Sequence, residues 1–312
     1  MLTLAKAICR PSALGHRREL CRAMVSRSSR SALSFGMIKT PSVVTIAKAP
    51  QNGIADTYTV GTRPEVEVSS HTDERQTNGH AILAAAATPV GINNQSDAPW
   101  GLERLSRIHQ LPKGSNPLEL NHNYRYQDSA RVADVDVYVL DSGIMLNHEQ
   151  FGGRARFGRN FTKEVDHDID GHADQGVHVV AAAGNDNSDA RHTSPARAAN
   201  VLAVGASTVR DECWVEPNRL HCGSSFGACV RVFAPGVNVM SAGIRSTTHL
   251  VPKTGTSMAA PHVAGLIAYF IRKDGNRTPA EMIAYIQNSA HMNVLGKVPK
   301  GTANRLAYNN VV

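Results

Sequence analysis

From Val132 to Leu140, polar and apolar residues alternate in part and then give way to the uniformly apolar run Val-Tyr-Val-Leu. A strand buried on both faces of a parallel sheet reads this way. Gly176–Ala183, Asn200–Ala206 and Val230–Phe233 read as further buried strands, the last running into a turn at Ala234-Pro-Gly236. Two helices are written in the pattern. One begins near Ser257 and continues through the apolar Leu266, Ile267, Tyr269 and Phe270. The other starts in Asn276-Arg-Thr-Pro-Ala-Glu281, with Thr278 as cap, Pro279 in the first position and Glu281 closing a capping box.

The chain has 312 residues, enough for one large domain and a leader. Its formal charge of +7 comes from one end. Residues 1–50 hold nine Lys or Arg against the single acid Glu19, which leaves the rest of the chain near neutral. That removes a nucleic-acid reading for the body of the chain. The leader is rich in Arg and Ser, poor in acids, and lacks the apolar core of a secretory signal, so an organellar transit segment or a disordered tail is expected. No run reaches the ~18 apolar residues of a membrane helix; Ala81–Ile92 is short and broken by Pro89 and Gly91. The five cysteines are an odd count without a Cys-x-x-Cys pair, which argues against zinc. Spacing leaves a Cys213–Cys222 bridge open.

Two stretches carry chemistry. In Thr254-Gly-Thr-Ser-Met-Ala-Ala-Pro-His-Val-Ala-Gly265, a Gly-Thr pair delivers Ser257 to a helix start. There, unpaired backbone N–H groups and the helix dipole favour an oxyanion. A serine so placed can attack a carbonyl while neighbouring donors hold the charge that forms. The other is Asp141-Ser-Gly-Ile at the end of the strand closing on Leu140. In a doubly wound sheet, chemistry gathers at the carboxyl ends of strands.

Together, and in this order, the two stretches resemble the motifs of subtilisin-like serine proteases (peptidase S8), proteinase K-like in particular. The resemblance implies an α/β fold with a mostly parallel, doubly wound sheet, here incomplete. It implies Ser257 as nucleophile and Asp141 as the acid that orients a histidine through Nδ1–H. Asp168-Ile-Asp-Gly-His172 is similar to the start of the family's histidine motif and makes His172 the candidate general base. The next stretch, Gly176-Val-His-Val-Val-Ala-Ala-Ala-Gly-Asn185, resembles a much later strand that ends in the oxyanion asparagine. The helix carrying the histidine, the strands after it and the strand that pairs with substrate are therefore absent between His172 and Gly176. His178 belongs to the later strand and is expected to be structural. His262, five positions beyond Ser257, lies about 140° round the helix and faces elsewhere.

The implied domains are a basic leader over 1–54, a degenerate propeptide-like segment over 55–96 beginning with Ala55–Val60, and a peptidase domain over 97–312. Relatives often bind calcium with an aspartate just before the Phe-x-Pro-Gly turn; Arg231 stands there, so no cofactor is expected at that place. Expected partners are protein or peptide substrates, with no nucleic acid, no membrane and a monomeric chain. A strand over Gly176–Ala183 of about eight residues starts ~25 Å from the carboxyl edge, whereas Ala173–Gln175 span at most ~14 Å. His172 and Asn185 then compete for their positions, and weak turnover is expected. The alternative is a catalytically silent remnant that binds or folds without cleaving peptides.

Overall fold

The computed structural model describes residues 6–11, 34–39, 91–127, 135–141, 144–160 and 177–311. Asp168–Gln175, with His172, and Ala55–Val60 lie outside the described residues. Strands are numbered in chain order. The apolar runs form strands where the pattern puts them: β5 spans Val135–Asp141, β7 His178–Ala182, β8 Val201–Ser207 and β9 Val230–Pro235. β7–β8 and β8–β9 pair in parallel, and β7 and β8 are buried along their whole length.

The α/β class is as the resemblance implies, but the sheet is mixed. Two segments of the basic leader enter it, β1 (Lys6–Pro11) between β5 and β7, and β2 (Ser34–Lys39) between β5 and β6 (Arg156–Asn160). β10 (Val239–Ala242) and β11 (Leu250–Lys253) form a separate antiparallel pair, and two short strands, β12 (His291–Met292) and β13 (Arg305–Leu306), close the far edge. The nine strands run in the order β12-β13-β9-β8-β7-β1-β5-β2-β6. Parallel pairing is confined to β7, β8, β9 and the β13–β9 contact, and the leader's side is antiparallel. β1 runs antiparallel to both its neighbours, so β5 and β7 are parallel to each other. Lys6 faces Leu140 on one side and Ala181 on the other, which sets Asp141 level with Ala182. Two strand spacings separate them, about 10 Å.

Helix α1 (Trp100–Ser106) is short and buried along its whole length. Its Arg104 forms a two-pronged ion pair with Asp211 at 2.8 and 3.0 Å, both side chains buried. Helix α2 (Thr256–Asp274) packs across β1, β5, β7, β8 and β9, and α3 (Pro279–Ser289) shares its core. Val263, Ala264, Ile267 and Phe270 of α2 meet Val137, Val139, Val180, Leu202, Val204 and Val232 of the sheet in that core. The expected capping box of α3 is present: Thr278 Oγ1 accepts from the Glu281 N–H, and the Glu281 carboxylate accepts from the Thr278 N–H. Before α1, β3 (Ile92–Ala98) pairs with β4 (His122–Gln127), so the expected start of the peptidase domain at 97 falls inside a strand.

Three expectations change in detail. Strand β7 has five residues, not eight, so its first residue lies about 13 Å below the level of Asp141. Six positions of chain from His172 to His178 span at most ~20 Å, so the carboxyl edge is within reach. Cys213, Cys222 and Cys229 are all free thiols, so no Cys213–Cys222 bridge forms. Cys213 is buried in an apolar cluster, and burial pushes its thiol up to about 11, which makes it inert. Among the described residues, no helix is long and apolar enough to cross a membrane.

Candidate functional site

Ser257 is the second residue of α2 and is buried; the residue capping the helix is Gly255, not the serine. Gly255 has φ +149°, a conformation that L side chains rarely adopt, and its N–H donates to Gly236 O at 2.8 Å. A Cβ on Gly236 would lie 3.0 Å from Gly255 O, so two bare backbones meet here and hold the turn. Pro261 is the sixth helical residue and has no N–H to offer the Ser257 carbonyl.

Asn185 reaches this turn from the sheet. It follows β7 by three residues, and its Oδ1 accepts from both the N–H and the Oγ1 hydroxyl of Thr256, each at 2.8 Å. A backbone N–H can meet only the oxygen of an amide, so these bonds fix which way the side chain is turned. Nδ2 is left on the other side as a donor. Thr256 Oγ1 in turn accepts from the Gly184 N–H at 3.2 Å. Thr256, the residue before Ser257, thereby ties the end of β7 to the start of α2. The sequence pattern gives no sign of this role, since a threonine between Gly and Ser carries no signal of what its hydroxyl touches.

Asp141 ends β5 and is buried, at the same carboxyl edge that β7 runs toward. Asp141, Asn185 and Ser257 thus come to one edge of the sheet; the position of His172 is outside the described residues. The other two histidines of the motifs are structural. His262 Nδ1–H donates to Met258 O at 2.7 Å, and its Nε2 is buried against Gly101 of α1 without a partner. Burial depresses its pKa from 6.5 to about 4. His178 Nε2 donates to Asn276 Oδ1 at 2.8 Å, and burial lowers its pKa too.

At the expected calcium position, Arg231 Nε is buried without a hydrogen-bond partner. A guanidinium offers only donors and positive charge, so this residue does not fit a hard cation. Among the described residues, no group of three or more His, Cys, Asp or Glu is arranged to hold a metal ion.

Comparison with known proteins identifies the family. A family model described as "Subtilase family" matches residues 152–310. The chain belongs to the subtilase family. Among curated relatives of this subtilase, a "Cuticle-degrading protease" of Metarhizium anisopliae is 33% identical over 298 residues, covering 70% of this chain and 72% of the relative. "Subtilisin-like protease 3" of Saccharomyces cerevisiae is 30% identical over 319 residues, covering 71% and 64%. A solved cold adapted subtilisin-like serine proteinase is 35% identical, with a TM-score of 0.37, and the match covers 42% of this chain and 44% of that one. The matched family stretch contains Asn185 and Ser257 and begins after Asp141.

Proposed function

We propose that this subtilase is a serine-type endopeptidase of low turnover. Ser257 is the nucleophile, His172 the general base, Asp141 the acid that orients the base, and Asn185 Nδ2 with the Ser257 N–H the oxyanion donors. In that reading the Ser257 hydroxyl adds to a peptide carbonyl as His172 takes its proton. The two donors hold the tetrahedral oxyanion, and the proton then passes to the leaving amine. The observation that carries the reading is the pair of 2.8 Å bonds from Thr256 to Asn185 Oδ1, which presents a fixed amide beside the nucleophile.

Low turnover follows from the chain's own connectivity. His172 is joined to Val177 by only Ala173–Gly176. So short a link leaves no room for the long helix that the resemblance places after this histidine, and catalysis falls steeply when a base is loosely positioned. The substrates are protein or peptide chains acted on by a monomer, and no calcium enters at Arg231. The rival reading, a silent remnant, is favoured by one observation: β1 fills the place between the Asp141 strand and the Asn185 strand.

The test is hydrolysis of an unfolded protein substrate by the full chain beside Ser257→Ala. Slow turnover that the substitution abolishes supports the enzyme. Equal rates for both proteins establish the remnant.

A further inference from the structure

The gap between β5 and β7 is one strand wide, and both of its walls are buried. Val137 and Val139 of β5 and Val180 and Ala182 of β7 lie in the same core beneath α2. Two parallel strands about 10 Å apart cannot bond to each other, so each turns a row of N–H and C=O groups into the gap. Leaving such groups unpaired in a core is destabilising. The fold therefore needs an extended occupant there. β1 faces every residue of β5 except the last, from Lys6 opposite Leu140 to Pro11 opposite Val135. It also faces β7 from Lys6 opposite Ala181 to Cys9 opposite His178. On its other edge β5 is paired with β2, again from the leader. Among the described residues, the strands paired with the Asp141 strand thus come from the first 39 positions.

We propose that Lys6–Pro11 is a built-in closing strand, docked in cis in a strand-receiving slot. It joins the Asp141 side of the sheet to the Asn185 side, and its loss parts them. The slot is a site of the β-augmentation kind, in which main-chain bonds supply the affinity. The segment is consequently not a removable leader: cleavage after Pro11, followed by release of the strand, leaves the inner edges of β5 and β7 unpaired.

The register supplies the test, in the full chain. Cys9 stands directly opposite Val137. Facing residues of an antiparallel pair have Cα atoms about 4.5–5.5 Å apart, within disulfide range. Val137→Cys under mild oxidation is expected to link position 137 to Cys9 in most molecules, found by peptide mapping and migrating as a monomer on a non-reducing gel. Tyr138→Cys, one position along and on the other face of the strand, is expected to give less than about a tenth as much. Hydrogen exchange of the unsubstituted chain gives an independent reading. The amides of 7–10 are expected to exchange at least ~10³-fold slower than in a free coil, alongside those of β7. Coil-like exchange at 7–10 would overturn the proposal, as would a linkage found only between two chains, or equal linkage at both engineered positions.

Discussion

Two sides of one site are built in opposite ways. On the serine side, β7, β8, β9 and α2 come from one continuous stretch of chain, and their strands are parallel. Gly236, Gly255, Thr256, Gly184 and Asn185 close on one another through backbone and hydroxyl bonds. On the aspartate side, β5 stands between β1 and β2, both antiparallel to it and both drawn from the far N-terminus. The family match takes in the whole serine side, adds only β6 from the other side, and starts beyond Asp141. A hydrogen-bonded turn of this kind can be carried whole by a local segment, whereas a strand in mid-sheet needs partners, and any extended segment of suitable length supplies them.

If the serine side depends on buried polar pairs, breaking the one that ties α1 to the chain after β8 should be costly. Arg104→Ala leaves the Asp211 carboxylate buried without its two donors, and is expected to lower unfolding free energy by about 3–5 kcal/mol. The exposed pair Lys297–Glu212, at 2.9 Å, serves as control; Lys297→Ala is expected to cost less than ~1 kcal/mol. Urea titration of both variants decides it. Equal shifts would mean the serine side gains nothing special from its buried contacts.

A smaller effect is expected with pH. His262 is held neutral in the folded chain, at about 4 against an ordinary 6.5. The unfolded state binds the proton first as pH falls. The stability linked to this group is therefore complete above pH 6.5 and is lost as pH drops toward 4, by about 3 kcal/mol in all. Between about pH 7.5 and 4.5 the natural chain should lose about 2–3 kcal/mol more than His262→Asn, read by urea unfolding at each pH. Parallel losses in the two proteins would place the burial of His262, and with it the α1–α2 contact, in error.

Legibility in the sequence varies with the distance over which each feature is decided. The strand at Val201–Ser207, the helix from Thr256 and the Thr278–Glu281 box are set by local patterns and are readable from them. Asp141, Asn185 and Ser257 lie at strand and helix ends that the motifs mark. The antiparallel side is not readable: Lys-Ala-Ile-Cys-Arg-Pro has two cations and a proline in six residues, and its arginine-rich context points to disorder. What makes it a strand is a slot formed by residues more than a hundred positions away. Thr256 escapes notice because its partner, Asn185, is distant in sequence. Strand β7 reads longer than it is because apolar residues, Val177 and Ala183, flank it at both ends.

If Asn185 is the oxyanion donor and His172 a base on a short tether, as proposed, the two should respond unequally to substitution. Hydrolysis of an activated ester by the full chain, by Asn185→Ala and by His172→Ala separates the two. Loss of a fixed oxyanion donor is expected to lower kcat by about 10²–10³-fold, whereas loss of a poorly held base is expected to cost less than about 10-fold. A fall of ~10⁴-fold or more in His172→Ala, equal to that of Ser257→Ala, would instead show a triad acting as a unit, with its base firmly held.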